Sequence, residues 1–480
     1  MSRTKTSSAI ELLVPLDRAS AHSLHRQLEQ ELRDAVRSGR LAAGSTLPST
    51  RALAEQLAVS RGIVVEAYEQ LAAEGYLVSR PGGATQVAAA ARPAPSRPPG
   101  PAPVPIAYDF RPGRPDLDQF PRATWLRSVR RALNEAPSER FGYLDGRGMP
   151  ELRSALAEYL NRVRGTAAHP DHIVICSGFA QGLKLVATVL REDGARRVAL
   201  EDPTQRESRD DLRALDLEIV EIPVDESGLR VDMLDAADVD AVVVTAAHQY
   251  PTGGVLPPER RSALLAWAER RGGTIVEDDY DAEFRYDREP IGAIQGLSPD
   301  RVVYAGSASK ILAPGLRLGW FIVPAVLADR VTLAKWTADL GSPAIDQLAF
   351  ADFLARGELD RHLRRLRPIY RARRDILLGS LARHLPELRP VGASAGLHVL
   401  AWLPPDLTET AIVEAAGKVG IRVQGIGPRA GGPSAPAGLT FGYGTITASA
   451  IDPGIKRLAV VFAEVRAERT EAPVRESAGP

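Results

Sequence analysis

The sequence is poor in several residue types, and each shortage excludes a class of protein. A single cysteine, Cys176, occurs in 480 residues, which permits no disulfide within the chain and no cysteine-rich metal site. The 60 basic residues balance the 60 acidic residues, and 44% of the residues are hydrophobic. This composition is typical of an ordinary globular protein in water.

Long apolar runs are also absent. The purely apolar runs, such as residues 241–244, are far shorter than the roughly 18 residues that a membrane-spanning helix requires. Near the N-terminus the apolar stretch Leu12–Leu16 is broken by Pro15, and it is followed by Asp17 and Arg18 rather than by the apolar core of a secretory signal. We therefore expect a cytoplasmic protein with no membrane partner.

Lysine is scarce as well, because only six of the 60 basic residues are lysines and the rest are arginines. Arginine and lysine are not equivalent in chemistry, since only the lysine amine readily loses its proton. A lysine in a suggestive position of such a sequence therefore points to a requirement for an amine. Lys310 is in such a position.

The length and one proline-rich segment predict the domain organisation. A single hydrophobic core stops growing at about 250–300 residues, so this chain should form at least two domains. Residues 88–106 read AAAARPAPSRPPGPAPVPI, with seven prolines, which is typical of a semi-rigid polyproline II spacer. The predicted parts are a domain over residues 1–87, a linker over 88–107, a large domain over 108–465 and a disordered tail over 466–480.

The first ninety residues predict three helices and a hairpin. Apolar residues at helical spacing from Leu24 onward end at Gly39, a residue that commonly terminates helices. Ser49 and Ser60 are good N-caps for two further helices, joined by a short turn. The segment YLVSRPGGATQV then reads as two strands around a Pro-Gly-Gly tip. The pattern is that of a helix-turn-helix followed by a β-wing.

Two interpretations of this module differ in what its surface does. A small helical docking module fits the total charge, because residues 1–90 hold ten basic and nine acidic side chains. The placement of the charges favours DNA instead, since Arg51, Arg61 and Arg80 fall on the second helix, the start of the third and the wing. Ser60 and Arg61 begin the helix that would approach base edges and phosphates.

The segment GRLAAGSTLPSTRALAEQLAVSRGIVVEAYEQLAAEGYLVSRPGGATQV resembles the winged helix of the GntR superfamily along its whole length. The resemblance implies contacts to double-stranded operator DNA from Arg51, Ser60, Arg61 and the wing around Gly82. The sequence departs from the family at Gly62 and Ile63, where a polar residue and threonine are usual.

In the large domain, short apolar runs alternate with helical patterns, which predicts an α/β fold around a parallel sheet. After about Leu340 the pattern becomes more helical and ends in the strand-like GLHVLAWL and LTFGYG, which predicts a smaller α+β lobe.

Three groups of residues in the large domain match the needs of pyridoxal 5'-phosphate (PLP) chemistry. The stretch VVYAGSASKILAPGLRLGW places Ser307, Lys310 and Arg317 just beyond a strand, where open α/β sheets bind ligands. Lys310 would hold the cofactor aldehyde as a Schiff base, and Ser307 and Arg317 would hold its phosphate. Taken alone, a lysine after a strand is more often a solvated loop residue.

The other two groups add an acid and an anion site. In TIVEDDYDAEFRY, Asp278 could pair with the ring nitrogen and Tyr280 with the ring hydroxyl, although a carboxylate run at a strand end is commonly a solvated turn. In HIVICSGFAQGL, a strand leads into a helix whose first backbone N–H groups suit a phosphate. Those N–H groups belong to Gly178, Phe179 and Ala180.

Together the motifs SGxxQGL, HQxPTG, EDDYDxEFRY and SxSKxLxPGLRLGW resemble the fold-type I aminotransferase family across about residues 108–465. With the winged helix and the proline-rich linker, the whole chain resembles the MocR-type transcriptional regulators. The resemblance implies PLP as cofactor and a homodimer in which Tyr143 of one subunit reaches the phosphate of its neighbour.

Departures from the aminotransferase pattern fall where a substrate would bind. Gln205 stands where an aromatic residue commonly lies near the cofactor ring. Glu207 and Thr445 occupy positions at which amino-acid-binding relatives place basic residues, so the bidentate clamp on a ligand carboxylate is lost. Arg422 or Arg429 could substitute.

The sequence therefore predicts a dimeric, PLP-binding regulator whose winged helices bind operator DNA and whose aminotransferase-like domain senses PLP, with a small amine or amino acid as a further effector. Two alternatives stay open at this stage. One is a PLP-dependent aminotransferase with an appended interaction module, and the other is a large domain that serves only as a dimerisation scaffold. We expect weak turnover of amino acids at most.

Overall fold

The structure is a computed structural model that describes residues 15–79, 84–89, 104–143, 145–286, 291–427 and 436–471, with the side chains of 469–471 left aside. Its contacts divide the chain into two units, Met1–Ala102 and Pro103–Pro480. The division falls within the predicted linker, of which residues 90–103 lie outside the described ranges.

The N-terminal unit is a three-helix module with a short antiparallel hairpin. Leu28, Leu32, Leu53, Val64 and Leu71 are buried in its core, and they lie at helical spacing on the faces that the helices turn toward one another. The three helices and the hairpin predicted from the sequence are confirmed. The elements are α1 (Leu24–Arg37), α2 (Thr50–Gln56), α3 (Arg61–Ala73), β1 (Leu77–Val78) and β2 (Gln86–Val87).

The helix termini of this unit follow the predicted caps with one difference. The Ser49 Oγ accepts a hydrogen bond from the backbone N–H of Ala52 at 3.2 Å, as expected of an N-cap. Ser60 occupies the N-cap position of α3, but its side chain accepts no capping hydrogen bond. Its hydroxyl is exposed at the start of this helix.

The C-terminal unit consists of a large lobe built on one sheet and a smaller lobe built on another. Its strands are β3 (Tyr108–Asp109), β4 (Ile173–Cys176), β5 (Arg197–Asp202), β6 (Glu218–Asp225), β7 (Gly228–Leu229), β8 (Ala241–Val244), β9 (Thr274–Asp278), β10 (Val302–Ser307), β11 (Gly319–Ile322), β12 (Arg389–Val391), β13 (His398–Trp402), β14 (Ile421–Arg422), β15 (Gln424–Gly425) and β16 (Gly438–Gly442).

The helices of this unit include the longest in the described chain, α13. They are α4 (Arg122–Glu135), α5 (Pro150–Arg164), α6 (Phe179–Glu192), α7 (Arg206–Arg213), α8 (Leu234–Ala237), α9 (Pro258–Arg271), α10 (Ala308–Ile311), α11 (Ala325–Asp339), α12 (Ala344–Ala355), α13 (Glu358–His384), α14 (Glu409–Lys418) and α15 (Ala448–Glu471). Among the described residues, no helix is both long and apolar enough to cross a lipid bilayer.

The central sheet has eight strands in the order β4-β11-β10-β9-β8-β5-β6-β7. Its inner strands are apolar on both faces, and the neighbours Val302 and Val303 belong to hydrophobic clusters on opposite sides of the sheet. This two-sided burial explains why the strands read as continuous apolar runs in the sequence. The α/β fold predicted for the large domain is confirmed.

The sheet differs from the prediction in being mixed rather than parallel. Strand β11 pairs antiparallel with both β10 and β4, and the short edge strand β7 pairs antiparallel with β6. The stretch between Ser307 and Gly319 is too short for a crossover helix, which takes a dozen or more residues. The chain therefore turns back beside β10. Lys310 and Arg317 lie in this return, which follows the carboxyl end of β10.

The smaller lobe places helices against an antiparallel sheet of order β12-β13-β16-β15, as the sequence predicts. Helix α15 continues to Glu471, beyond the domain end placed at residue 465 and into the segment expected to be a disordered tail. Arg466, the first residue past the predicted domain end, forms ion pairs with Asp406 and Glu387, both at 2.9 Å. Residues 472–480 lie outside the description.

Candidate functional site

The candidate site lies at the carboxyl ends of two neighbouring parallel strands. Strands β9 and β10 pair in register, with Asp278 opposite Ala305. Side chains at the ends of parallel strands share one edge of the sheet, which is where open α/β sheets bind ligands. A cavity of about 550 Å³ opens at this edge.

This cavity brings together most of the residues that the sequence motifs single out for the cofactor. They come from three separate stretches of the chain, so the motifs converge in space although they are far apart in sequence. The predicted residues that line the cavity are Gly178, Phe179, Ala180, Asp278, Tyr280, Ser307, Lys310 and Arg317.

Lys310 lies in the short helix α10, directly after β10. Its Nζ donates a hydrogen bond to the carbonyl oxygen of Gly113 at 2.8 Å. Burial lowers the pKa of the Lys310 amine, and the nearby charges of Asp278 and Asp281 oppose that effect without cancelling it. A lysine with a lowered pKa is more readily available as the neutral nucleophile that attack on an aldehyde requires.

Asp278 ends β9 and is buried. Its pKa is raised well above the ordinary value, first by burial and then by the charge of the adjacent Asp279. The Nε2 of Gln205 lies 3.5 Å from its Oδ2, at the limit of a hydrogen bond. This carboxyl group therefore sits where a cation would stabilise its ionised form strongly.

Tyr280 is held by a hydrogen-bond network that joins the two lobes. The Tyr280 hydroxyl lies 2.9 Å from Nδ1 of His248, and both carboxylate oxygens of Asp281 lie 3.1 Å from the same nitrogen. The Nε2 of His248 lies 3.3 Å from the carbonyl oxygen of Gly392 in the smaller lobe. Burial by itself lowers the pKa of His248, but Asp281 outweighs it, so the pKa is raised. The imidazole thereby fixes the Tyr280 hydroxyl.

Another part of the cavity lining has donors that suit an anion. Gly178, with φ of +114°, precedes α6 and leaves the first backbone N–H groups of that helix open to the cavity. A Cβ atom on Gly178 would lie 3.5 Å from an Nη atom of Arg317, an ordinary van der Waals distance, so the positive φ rather than crowding favours glycine here. The Ser307 hydroxyl lies beside Ser309, at 2.8 Å between the two oxygens.

Several lining residues were not singled out from the sequence. Tyr250 belongs to the motif HQxPTG, whose signal was recognised only at the level of the family, and Gly113 lies in the segment DFRPGRPDL at the start of the large domain. Ser309 lies within the lysine motif itself. The segment Gln424–Gly427 of the smaller lobe has no motif, and only the folded chain brings it to the cavity.

Other predicted residues lie elsewhere. Tyr143 is not in the cavity lining, and it is 83% exposed. Its ring packs edge-on against the ring of Trp336, with 6.4 Å between the ring centroids. Thr445 is also outside the lining, and its hydroxyl donates to the carbonyl oxygen of Asp109 at 3.4 Å. Arg422 does not line the cavity, and Arg429 falls outside the described ranges.

The residues predicted to contact DNA are exposed where the structure describes them. Arg51 on α2, Ser60 and Arg61 all lie on the surface of the N-terminal unit. The Nε of Arg61 makes a long hydrogen bond of 3.4 Å to Thr50, and within the described part of this unit Arg51 has no partner. Arg80 and Gly82 of the wing lie outside the described residues.

Comparison with known proteins gives matches to both units. A family described as aminotransferase class I and II matches residues 114–428, and bacterial regulatory proteins of the gntR family match residues 24–87. The pyridoxine biosynthesis transcriptional regulator PdxR of Corynebacterium glutamicum is 35% identical over 448 residues, with 91% of this chain and 95% of that protein covered.

A second regulator matches most of the chain, and a solved aminotransferase has a similar structure. The probable rhizopine catabolism regulatory protein MocR of Rhizobium meliloti is 30% identical over 473 residues, with 94% of this chain and 96% of that protein covered. The crystal structure of LysN, an α-aminoadipate aminotransferase of Thermus thermophilus complexed with N-(5'-phosphopyridoxyl)-L-leucine, has a TM-score of 0.69 and 26% identity, covering 76% of this chain and 93% of that chain.

Proposed function

The chain belongs to the MocR subfamily of GntR-type transcriptional regulators, which join a helix-turn-helix domain to an aminotransferase class I and II domain, and we propose that it is a PLP-responsive regulator that acts as a homodimer. In this proposal the winged helices bind operator DNA. The aminotransferase-like domain holds PLP and senses an amine. The observation that carries the proposal is the convergence of Lys310, Asp278 and Arg317 on one cavity in a chain that also has a helix-turn-helix unit with Arg51 and Arg61 exposed.

The residues of the cavity fit PLP by their chemistry. Lys310 supplies an amine of lowered pKa for the aldehyde, and Asp278 is a buried acid that gains a cationic partner if the ring nitrogen is protonated. The open N-terminus of α6, Ser307 and Arg317 together supply donors for a phosphate. When bound, PLP would supply an electrophilic carbon that reacts with amines.

The proposed sensing step uses both lobes of the C-terminal unit. The cavity is lined by the large lobe and also by Gln424–Gly427 of the smaller lobe. His248 forms a second link between the lobes through the carbonyl oxygen of Gly392. A ligand that contacts both lobes shifts the equilibrium between lobe arrangements in proportion to its differential affinity for them.

A homodimer is supported by apolar side chains exposed around Tyr143. The ring of Tyr143 contacts Trp336, which lines a shallow depression together with Leu333, and Leu333 is itself 64% exposed. Exposed apolar groups of this kind mark association surfaces. Two copies would also present two winged helices, as recognition of two operator half-sites requires.

The test combines cofactor loading with DNA binding on the same preparations. Genomic fragments retained by the purified protein are sequenced, and the affinity for the recovered site is measured by fluorescence anisotropy with and without PLP. We expect a visible absorbance band that Lys310→Ala loses, and an operator affinity or stoichiometry that depends on PLP in the wild type alone. A protein that retains no specific DNA, or whose Lys310→Ala variant keeps the same visible band, contradicts the proposal.

A further inference from the structure

The cofactor cavity has a wall that none of the cofactor-binding roles uses. It is formed by the residues immediately before α7 and by the first turn of that helix, and it faces the same space as Lys310. Three charged side chains occur on this wall. They are Arg206, Glu207 and Arg209.

The two arginines already have carboxylate partners, whereas the glutamate has none. The Nε of Arg206 lies 3.3 Å from Oδ2 of Asp210, and Nη2 of Arg209 lies 2.7 Å from Oε1 of Glu221. Within the described chain, Glu207 forms no ion pair and no hydrogen bond. Arg209 keeps one buried donor, its Nε, without a partner, but its charge is balanced by Glu221. The charge on this wall that has no counter-charge beside it is therefore the negative charge of Glu207.

We propose that the effector of this protein is a compound with two amino groups, of which one faces Lys310 and the cofactor while the other is bound as an ammonium by Glu207. The inference rests on the proposed function, because the first amino group is placed by the PLP site. It names the class of ligand that the function leaves open: diamines and related compounds that carry a second cationic group.

Two further features of the cavity support a cation rather than a carboxylate at this position. Thr445, at the position where the resemblance to aminotransferases implies an arginine for a ligand carboxylate, is turned to the carbonyl oxygen of Asp109 and does not line the cavity. Tyr250 lines the same cavity as Glu207. Burial raises the pKa of Tyr250 to about 12, and the charge of the Glu207 carboxylate contributes to this increase. A ligand ammonium near Glu207 thus also lies near an aromatic ring, which attracts cations.

The test uses three ligands of equal chain length on the PLP-loaded protein. These are 1,4-diaminobutane, butylamine and 4-aminobutanoate, which differ only in the group at the far end. We expect 1,4-diaminobutane to bind about three- to tenfold more tightly than butylamine by isothermal titration calorimetry, the range of a charged hydrogen bond that is partly exposed. A series of diamines with three to six carbons locates the best span. We expect 4-aminobutanoate to bind more weakly than butylamine, because Glu207 repels its carboxylate.

The matched variants separate the carboxylate from general effects of charge. Glu207→Gln should bring the affinity for the diamine down to that for butylamine and leave butylamine unchanged. Glu158→Gln removes an exposed glutamate that also lacks a partner among the described residues but lies on α5, outside the cavity, and should change nothing. The same ligand titrations are repeated with operator DNA. The fluorescence anisotropy of that DNA shows whether the diamine also changes DNA binding.

Three results would overturn the inference while leaving the proposed function standing. The first is equal affinity for the best diamine and butylamine. The second is tighter binding of 4-aminobutanoate than of butylamine, which would mean that Arg206 and Arg209 determine the ligand preference of the wall. The third is a preference for the diamine that persists in Glu207→Gln. Failure of the proposed function itself is seen separately, as loss of the visible cofactor band or of specific DNA binding in the wild type.

Discussion

The Nζ of Lys310 donates a hydrogen bond to the carbonyl oxygen of Gly113 at 2.8 Å, although the two residues are 197 positions apart. Gly113 has φ of +71°, and a Cβ atom on it would lie only 3.2 Å from the same Nζ. The first segment of the large domain thus touches the amine that the sequence assigns to the cofactor. This contact makes Gly113 part of the site although it carries no side chain.

We predict that Gly113→Ala weakens covalent loading of PLP. The added methyl group crowds Nζ and is also strained at a positive φ, so the amine must shift. Gly272→Ala is the matched control, because Gly272 has a similar positive φ of +67°, and a Cβ there meets nothing within 4 Å. PLP titrations followed by visible absorbance should show a higher apparent Kd for Gly113→Ala alone. Equal loading of both variants would contradict the role given to this contact.

A second prediction uses the raised pKa of Asp278. In the unfolded chain this carboxyl group titrates near its reference value of about 3.9. Because the folded state holds the proton to a higher pH, the contribution of Asp278 to stability is lost as the pH rises through that raised folded value. Asp278→Asn cannot ionise, so the Tm of the cofactor-free variant should exceed that of the wild type by a margin that grows with pH.

The same substitution should have the opposite effect once PLP is present. Asparagine cannot supply the charge that would keep the ring nitrogen protonated, so PLP should raise the Tm of the variant less than that of the wild type. Thermal melts at several pH values, with and without PLP, measure both effects. A Tm difference between the cofactor-free proteins that does not change with pH would show that Asp278 is not the titrating group.

The local motifs allowed much of this site to be predicted. Each motif couples a strand end with a tight turn, so Asp278, Ser307 and the start of α6 could be placed at one sheet edge before the fold was known. Whether every one of these residues contacts a cofactor stays a prediction. The confirmed part is the order of the two domains and their fold families.

What the sequence could not show depends on contacts between distant segments. The antiparallel direction of β11 is the exception, because it follows from the short return after β10. The link between His248 and Gly392 joins segments that are 144 residues apart. The orientation of Thr445 toward Asp109 is likewise a result of packing, since those residues are 336 positions apart. No local pattern encodes such pairings, because they depend on how the whole chain packs.

A third prediction concerns the DNA-binding face. Arg51→Ala and Arg61→Ala should each weaken operator binding by about 1–3 kcal/mol if the arginine reads a base. If it contacts a phosphate instead, binding should weaken on all sequences, and the slope of log K against log salt should flatten by about one unit. PLP loading should be unchanged, since neither residue lines the cavity. Footprints like those of the wild type for both variants would mean that another surface reads the operator.

The last prediction is that the PLP-loaded protein turns over common α-amino acids poorly. Transamination requires the Cα–H bond of the substrate to be oriented perpendicular to the ring, and a carboxylate–arginine pair normally converts binding energy into that orientation. Here Thr445 is outside the cavity and hydrogen-bonded to Asp109, while Glu207 places a negative charge on the cavity wall. An α-carboxylate therefore lacks the partner that would orient it.

The measurement is keto-acid formation from a panel of amino acids with an α-keto acid acceptor. We expect rates at the background of free PLP, with Lys310→Ala as the reference that cannot hold the cofactor covalently. Glu207→Arg is the informative variant, because it replaces the repulsive group by a guanidinium on the same wall, and it should raise the rate for α-amino acids above that of the wild type. Sustained wild-type turnover that disappears in Lys310→Ala would instead show that the chain orients its substrate through a group other than Thr445 or Glu207, and that it works as an aminotransferase.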